Sequence, residues 1–413
     1  MSQLTEAKIR LKTAIGSFTI LRLPLRKSET LQAWDAADEL LLEHFASQHP
    51  AALAPSALET TKSDHRLLII NDQFGALTTS LHLQAPDSWN DSSISHLAAQ
   101  LNYQNNLNIS HSDEKINTIA STEPLTGNYS IVLIKIPKTL SLLEQQLCIL
   151  RQHVNEETLI VAGGMSKHIH NSTLALFEKH LGDTSTSRAT KKARLIFCKV
   201  DKNNLKAKAD HTLIATRYFA DPLNRVLICY ANGFSRDRLD LGARAMIEAM
   251  DNNTLPDAEN IADLGCGNGV LGLHALSSIA KDINKQDKLK SISFIDESYM
   301  AVAAAKENYL NLIDDTDKKN ISPSFMVQDS IKKTDIKYDW IICNPPFHIG
   351  TAMDTYIANR MFQQSHAGLQ SNGQLWVVAN RHLRYELQLK KLFKNYKIVL
   401  SNKKFVVITA TKI

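Results

Sequence analysis

Cysteine is scarce: five thiols in 413 residues, odd in number and widely scattered. That excludes a disulfide frame, offers no zinc-cluster spacing, and points to a reducing, cytoplasmic setting with no metal site. Long apolar runs are missing too. The apolar stretches are strand-sized and interrupted, so no transmembrane helix and no membrane partner are expected. The opening residues Met1-Ser2-Gln3-Leu4-Thr5-Glu6-Ala7-Lys8 have no signal-peptide core. Neither sign of charge dominates, because the formal net charge is only +5. This is compatible with a polyanionic partner without requiring one. With 44% hydrophobic and 22% charged residues, the chain reads as globular, and its length suggests two or three domains.

Only 15 glycines are present, yet three fall in one turn, Asp263-Leu264-Gly265-Cys266-Gly267-Asn268-Gly269. Ile261 to Leu264 resembles a strand end, and an apolar helical run follows from Val270. The glycines permit tight backbone passage beside a ligand. Dinucleotide-binding turns use G-x-G-x-x-G, whereas this one reads Asp-x-Gly-x-Gly-x-Gly. A carboxylate before the first glycine suits an amino-acid-bearing cofactor, with Asp263 facing its ammonium; a plain helix-entry turn would look similar.

About eighty residues later the apolar run Trp340-Ile341-Ile342-Cys343 ends in Asn344-Pro345-Pro346-Phe347-His348. The two prolines stiffen the corner and lack N–H groups, leaving carbonyls free as acceptors. An NH₂ on an aromatic ring is a poor nucleophile, because its lone pair is delocalised. Accepting both of its hydrogens localises that pair, and the Asn344 side-chain carbonyl with the Pro345 backbone carbonyl can do so. Phe347 can stack on a planar base. No early general base is needed, so His348 has no assigned role. Together the two motifs imply methyl transfer from S-adenosylmethionine to a base or side-chain amide. Two further acids end strand-like runs: Asp296 would take ribose hydroxyls and Asp329 would meet the adenine amine. Each reads equally as an ordinary strand-end or capping Asp.

The sequence also echoes itself. Leu67 to Leu77 resembles Ile261 to Leu273, and Ser130 to Lys138 resembles Asp339 to Phe347. Leu159 to Met165 resembles Leu375 to Ala379, and Lys191 to Phe197 resembles Lys403 to Ile408. Order and spacing recur, so the expected fold class is α/β: two tandem doubly wound Rossmann-like lobes, 1–215 and 216–413. The first lobe keeps only Gly75, and Lys135-Ile136-Pro137-Lys138 replaces the corner. It reads as degenerate, left to RNA docking or to support. Lysine clusters at Lys281–Lys290 and Lys390–Lys404, and another at Arg188–Arg194, read as solvated or phosphate-binding faces. Between the lobes, Tyr218 to Leu241 reads as a strand pair leading into a helix, with Phe234 and Asp240 placed to roof the methionine end or simply to pack on the sheet.

The whole chain resembles the bacterial ribosomal RNA guanine-N2 methyltransferases. The resemblance is carried by Ala33-Trp34-Asp35-Ala36-Ala37-Asp38-Glu39, Lys135-Ile136-Pro137-Lys138-Thr139, Gly233-Phe234-Ser235 with Leu239-Asp240-Leu241-Gly242, and Asn344-Pro345-Pro346-Phe347-His348. Two sister groups share this layout, one acting on small-subunit and one on large-subunit RNA. Ser166 to Lys179, followed by Lys191 to Ile196, is closer to the large-subunit group. The resemblance implies a guanine exocyclic amine as acceptor and large-subunit ribosomal RNA as partner. It also implies S-adenosylmethionine held by Asp263, Gly265, Gly267, Gly269, Asp296 and Asp329, with Asn344, Pro345 and Phe347 at the acceptor. A polar insert at Lys281–Lys290 departs from the pattern. A monomer is expected, since one chain already carries paired lobes. Rivals differ in kind: a protein-glutamine or adenine-N6 methyltransferase, the small-subunit sister, or a non-catalytic RNA-binding factor.

Overall fold

The central strands Leu67–Ile70 and Ile131–Lys135 are apolar at nearly every position, as strands covered on both faces by helices must be. The computed structural model describes residues 9–26, 29–50, 66–107, 116–206, 213–282, 284–313, 321–331, 336–346 and 355–413. The chain divides into two units, Met1–Ile214 and Ala215–Ile413.

In the first unit, β1 (Arg10–Lys12) and β2 (Ser17–Thr19) form a small antiparallel ribbon. A sheet of seven strands, counted among the described residues, follows. It comprises β3 (Leu67–Ile70), β4 (Asp87–Asn90), β5 (Asn117–Ala120), β6 (Ile131–Lys135), β7 (Leu159–Met165), β8 (Thr184–Thr186) and β9 (Ala193–Cys198). Their spatial order is β5-β4-β3-β6-β7-β9-β8, parallel through β7 and antiparallel at β9 and β8.

The second unit opens with the hairpin β10 (Thr216–Ala220) and β11 (Arg225–Cys229). Its sheet holds β12 (Asn260–Leu264), β13 (Ser291–Asp296), β14 (Ser322–Val327), β15 (Tyr338–Cys343), β16 (Leu369–Asn380), β17 (Lys397–Ser401) and β18 (Phe405–Thr411). The order β14-β13-β12-β15-β16-β18-β17 repeats the first unit strand for strand. The four sequence echoes fall on the equivalent pairs β3/β12, β6/β15, β7/β16 and β9/β18. The fold is therefore two tandem doubly wound α/β lobes.

Alternation along the strands sends successive residues to opposite faces. Ile261, Trp340 and Ile342 pack beneath helices Leu241–Asp251, Val270–Ala280 and Tyr299–Ile313. Ala262, Leu264, Ile341 and Cys343 pack beneath Thr355–Gly368 and Glu386–Phe393. The parallel strands β12, β13, β15 and β16 point their carboxyl ends to one edge, where ligands bind in open α/β sheets. Among the described residues, no helix is long and apolar enough to cross a membrane, and no acidic, His or Cys group could hold a metal ion.

Candidate active site

The glycine-rich turn leaves β12 and reverses at once into the helix Val270–Ala280. Gly265, Gly267 and Gly269 all have left-handed φ, +72°, +54° and +83°. Gly265 N and Cys266 N both donate to the Ile295 carbonyl, tying the turn to β13. A Cβ at Gly269 would press on the Ala305 backbone at 3.2 Å, whereas at Gly267 no atom lies within 4 Å. The turn is thus packed at its end and open at its middle.

Asp263 lies under the turn. Its Oδ2 accepts from Gly272 N at 2.8 Å, its Oδ1 is buried without a partner, and the residue is 1% exposed. Burial pushes its carboxyl up to about 7. Asp263 positions the turn and the helix start through Gly272 N, and its second oxygen is left without a protein donor among the described residues. Ile261 and Asp263 share one strand face, and the apolar run from Val270 covers that face.

Asp296 stands at the end of β13, half-buried. Its Oδ2 accepts from Gly267 N at 3.0 Å and its Oδ1 from Ser298 N at 3.0 Å. Asp329 accepts from Ser330 Oγ and pairs with the Arg360 guanidinium, on the helix Thr355–Gly368. Sequence reasoning missed this arginine.

Asn344 leaves β15 beside the turn: a Cβ on Gly265 would come 3.9 Å from its backbone carbonyl. Its Nδ2 donates to Asp240 Oδ2 at 3.2 Å, while its Oδ1 is buried without a hydrogen-bond partner. Asp240 also accepts from Ala243 N at 2.9 Å and so caps the helix Leu241–Asp251. A carboxylate only accepts, so it fixes which end of the Asn344 amide faces it and leaves Oδ1 turned away. Gly242 is what allows this approach, because a Cβ there would sit 2.9 Å from Asp240 Oδ2 and 3.3 Å from Asn344 Oδ1. Asp240 therefore lies at the acceptor corner, and Phe234 is 69% exposed. Pro345 is buried and Pro346 exposed; Phe347 and His348 lie outside the described residues. The Cys266 and Cys343 thiols are both pushed up by burial, so neither is poised as a thiolate.

The β10–β11 hairpin closes the other side of the turn. Asn308 Nδ2 donates to the carbonyls of Ile228 and Asn268, and Asn268 Nδ2 donates to Tyr218 Oη.

The orphaned Asn344 carbonyl, the open Gly267 and the half-buried Asp296 fit a nucleoside-bearing methyl donor beside a planar amine. Fold and site define an S-adenosylmethionine-dependent methyltransferase. Residues 225–409 match the methyltransferase small domain, and residues 8–202 match the RLMG N-terminal domain. The ribosomal RNA large subunit methyltransferase G of Aeromonas hydrophila is 40% identical over 403 residues, covering 97% of this chain and 99% of that one. The protein of the same name from Klebsiella pneumoniae is 41% identical, covering 96% of each chain. The chain belongs to the ribosomal RNA large subunit methyltransferase G family. Among solved structures, the T. Thermophilus 16S rRNA N2 methyltransferase (RsmC), in complex with AdoMet and guanosine, shares the fold. Its TM-score is 0.69 at 15% identity, over 98% of this chain and 97% of that one.

Proposed function

We propose that this protein methylates the exocyclic N2 of one guanine in large-subunit (23S) ribosomal RNA. The observation that carries the reading is the Asn344 Oδ1, a buried acceptor with no donor among the described residues. Leaving such a group unmatched costs about 1–3 kcal/mol, a cost an incoming N–H removes. The large subunit comes from the names of the family's members, and N2 is the position named for the structural relative.

When bound, S-adenosylmethionine supplies an electrophilic methyl group. Gly265, Gly267 and Gly269 shape the seat for it, Asp263 holds that seat from beneath, and Asp296 offers lone pairs to ribose hydroxyls. Asp329, paired with Arg360, lies on the adenine side in this reading. Asn344 Oδ1 accepts one N–H of the guanine amine and the Pro345 carbonyl the other, which directs the nitrogen lone pair. Phe347 stacks on the extruded base and excludes water. The amine sheds its proton only after it is methylated, so the corner needs no base.

The test is transfer of labelled methyl to separated large- and small-subunit RNAs lacking the modification, with the nucleoside identified by mass spectrometry. N2-methylguanosine in large-subunit RNA alone is expected. The product in small-subunit RNA would reverse the substrate assignment, and no label in either would overturn the reading. In the same assay Asn344→Ala should abolish transfer while cofactor affinity stays within about threefold. A normal rate in that variant would remove Asn344 from the acceptor site.

A further inference from the structure

Leu369 to Ile413 carries nine Lys and Arg side chains and one acid, Glu386. Its formal charge of +8 exceeds the +5 of the whole chain, so the remainder is net acidic. The basic character is thus confined to the last part of the sheet.

Topology divides these cations between two edges. β16 runs parallel to β15 and ends at Asn380 on the edge that carries Asn344. β18 runs back from that edge, with Phe405 opposite Asn380, and β17 arrives there with Ser401 opposite Val406. The turn Asn402-Lys403-Lys404 is therefore at the active-site edge, next to Arg381. Lys397, at the start of β17, is at the far edge, and the helix Glu386–Phe393 carries Lys390 and Lys391 away from the site.

The near turn is braced by hydrogen bonds and leads into Phe405, beside the acceptor corner. Asn402 Oδ1 accepts from Lys404 N and Phe405 N, and Arg381 Nη1 donates to the Asn402 carbonyl at 3.2 Å. Lys404 Nζ lies 5.3 Å from the centre of the Phe405 ring. That ring reaches Gly242, where a Cβ would meet Phe405 Cε1 at 3.5 Å and Asn344 Oδ1 at 3.3 Å. Arg381, Lys403 and Lys404 are all exposed. Among the described residues, no carboxylate pairs with any of these three cations.

We infer that Arg381, Lys403 and Lys404 form a phosphate-binding rim that grips the single-stranded RNA backbone beside the target guanine. The inference rests on the RNA reading above and adds the surface that register and docking depend on. A phosphate contact positions a strand without reading its sequence, and the flanking backbone is what a site for one extruded base must hold. Lys390 and Lys391 are too far round the sheet to share this role, and they contribute only general attraction.

The experiment measures affinity for a short labelled single-stranded oligoribonucleotide by fluorescence anisotropy, from about 50 to about 200 mM salt. Wild type is compared with the doubles Lys403→Ala/Lys404→Ala and Lys390→Ala/Lys391→Ala, and each protein's cofactor affinity is measured by calorimetry. The near double should lower the magnitude of the log–log salt slope by about 1.4, since each phosphate contact on a single strand contributes about 0.7. Its affinity should fall about tenfold at low salt, with cofactor affinity unchanged within about twofold. The far double should move the slope by less than half as much. If both doubles weaken binding equally while wild-type transfer to RNA is normal, the rim is overturned and the reading of function stands. If wild type neither binds nor methylates RNA, both fall. A competing acidic polypeptide that displaces the wild type but not the near double from a column, with RNA binding unchanged in both, would assign the rim to a protein partner and overturn it.

Discussion

At the acceptor corner one carboxylate decides which atom of one amide faces the substrate. Asp240 holds Asn344 Nδ2, and an acid cannot hold the carbonyl end instead. Asp240→Ala should free the amide to rotate and present its NH₂ half the time. Transfer should then fall in kcat by about twofold, the fraction of amides turned the wrong way, with KM for RNA unchanged. A loss confined to KM would show that Asp240 supports the strand and not the amide. Asp263 makes a different, pH-dependent prediction. Burial lifts its carboxyl to about 7, far above its unfolded value of 3.8. Between these pH values the folded state binds the extra proton, so raising the pH through this window lowers stability, and above about 7 the effect levels off. The slope is worth up to about 1.4 kcal/mol per pH unit. Asp263→Asn keeps an acceptor for Gly272 N and cannot ionise. Urea unfolding at pH 5 and pH 8 should show wild type losing ground relative to this variant, and parallel behaviour would refute the buried-proton account.

At the scale of the element, the glycine-rich turn divides the labour of its three glycines. At Gly267 the cost of a side chain is the left-handed backbone alone, about 1–2 kcal/mol. At Gly269 the same cost is joined by tight contacts with Ala305 and Phe294 at 3.1–3.3 Å, which must give by a few tenths of an ångström. Gly269→Ala should lower the melting temperature further than Gly267→Ala and weaken cofactor binding more, by calorimetry. The reverse order would mean that ligand contact, not packing, fixes these positions. Spacing made this turn and the Asn-Pro-Pro corner legible before any coordinates, because both depend on local backbone chemistry. The strand ends at Asp296 and Asp329 were legible for the same reason. Side-chain direction was harder to read. The period-two pattern of β12 turns Asp263 under the following helix, where its Oδ2 accepts from Gly272 N, a partner that its place before the glycines did not announce. The partners of Asp240 and Asp329 come from 104 and 31 residues away in sequence. One chain without relatives gives no measure of such separations.

At the scale of the whole molecule, one topology was built twice and only one copy kept its openings. In the first unit the residues at the ends of β3 and β6 satisfy one another. Asp72 accepts from Ala76 N, Thr78 N and Thr78 Oγ1, leaving no carboxylate oxygen idle. Asn71 and Gln146 exchange amide hydrogen bonds of 2.9 and 2.7 Å, and Asn71 Nδ2 also donates to the Lys135 carbonyl. Lys135 occupies the position of the corner, its Nζ held by Asp35 Oδ1 at 2.7 Å and Asp38 Oδ2 at 2.8 Å. Asn71 and Gln73 stand where the second unit has Gly265 and Gly267, and Phe74, in the place of Asn268, is 5% exposed. Removing Lys135 would strand the buried Asp38 carboxylate beside Asp72, so Lys135→Ala should destabilise the protein by about 3–5 kcal/mol without opening a second seat. Titration calorimetry of the full chain with S-adenosylmethionine should therefore give one site per chain, in wild type and in every folded Lys135 variant. Asp296→Ala, in the second unit, should weaken that single isotherm. Two sites in wild type, or a residual isotherm of normal affinity after the seat in the second unit is damaged, would show that the first unit still binds the cofactor.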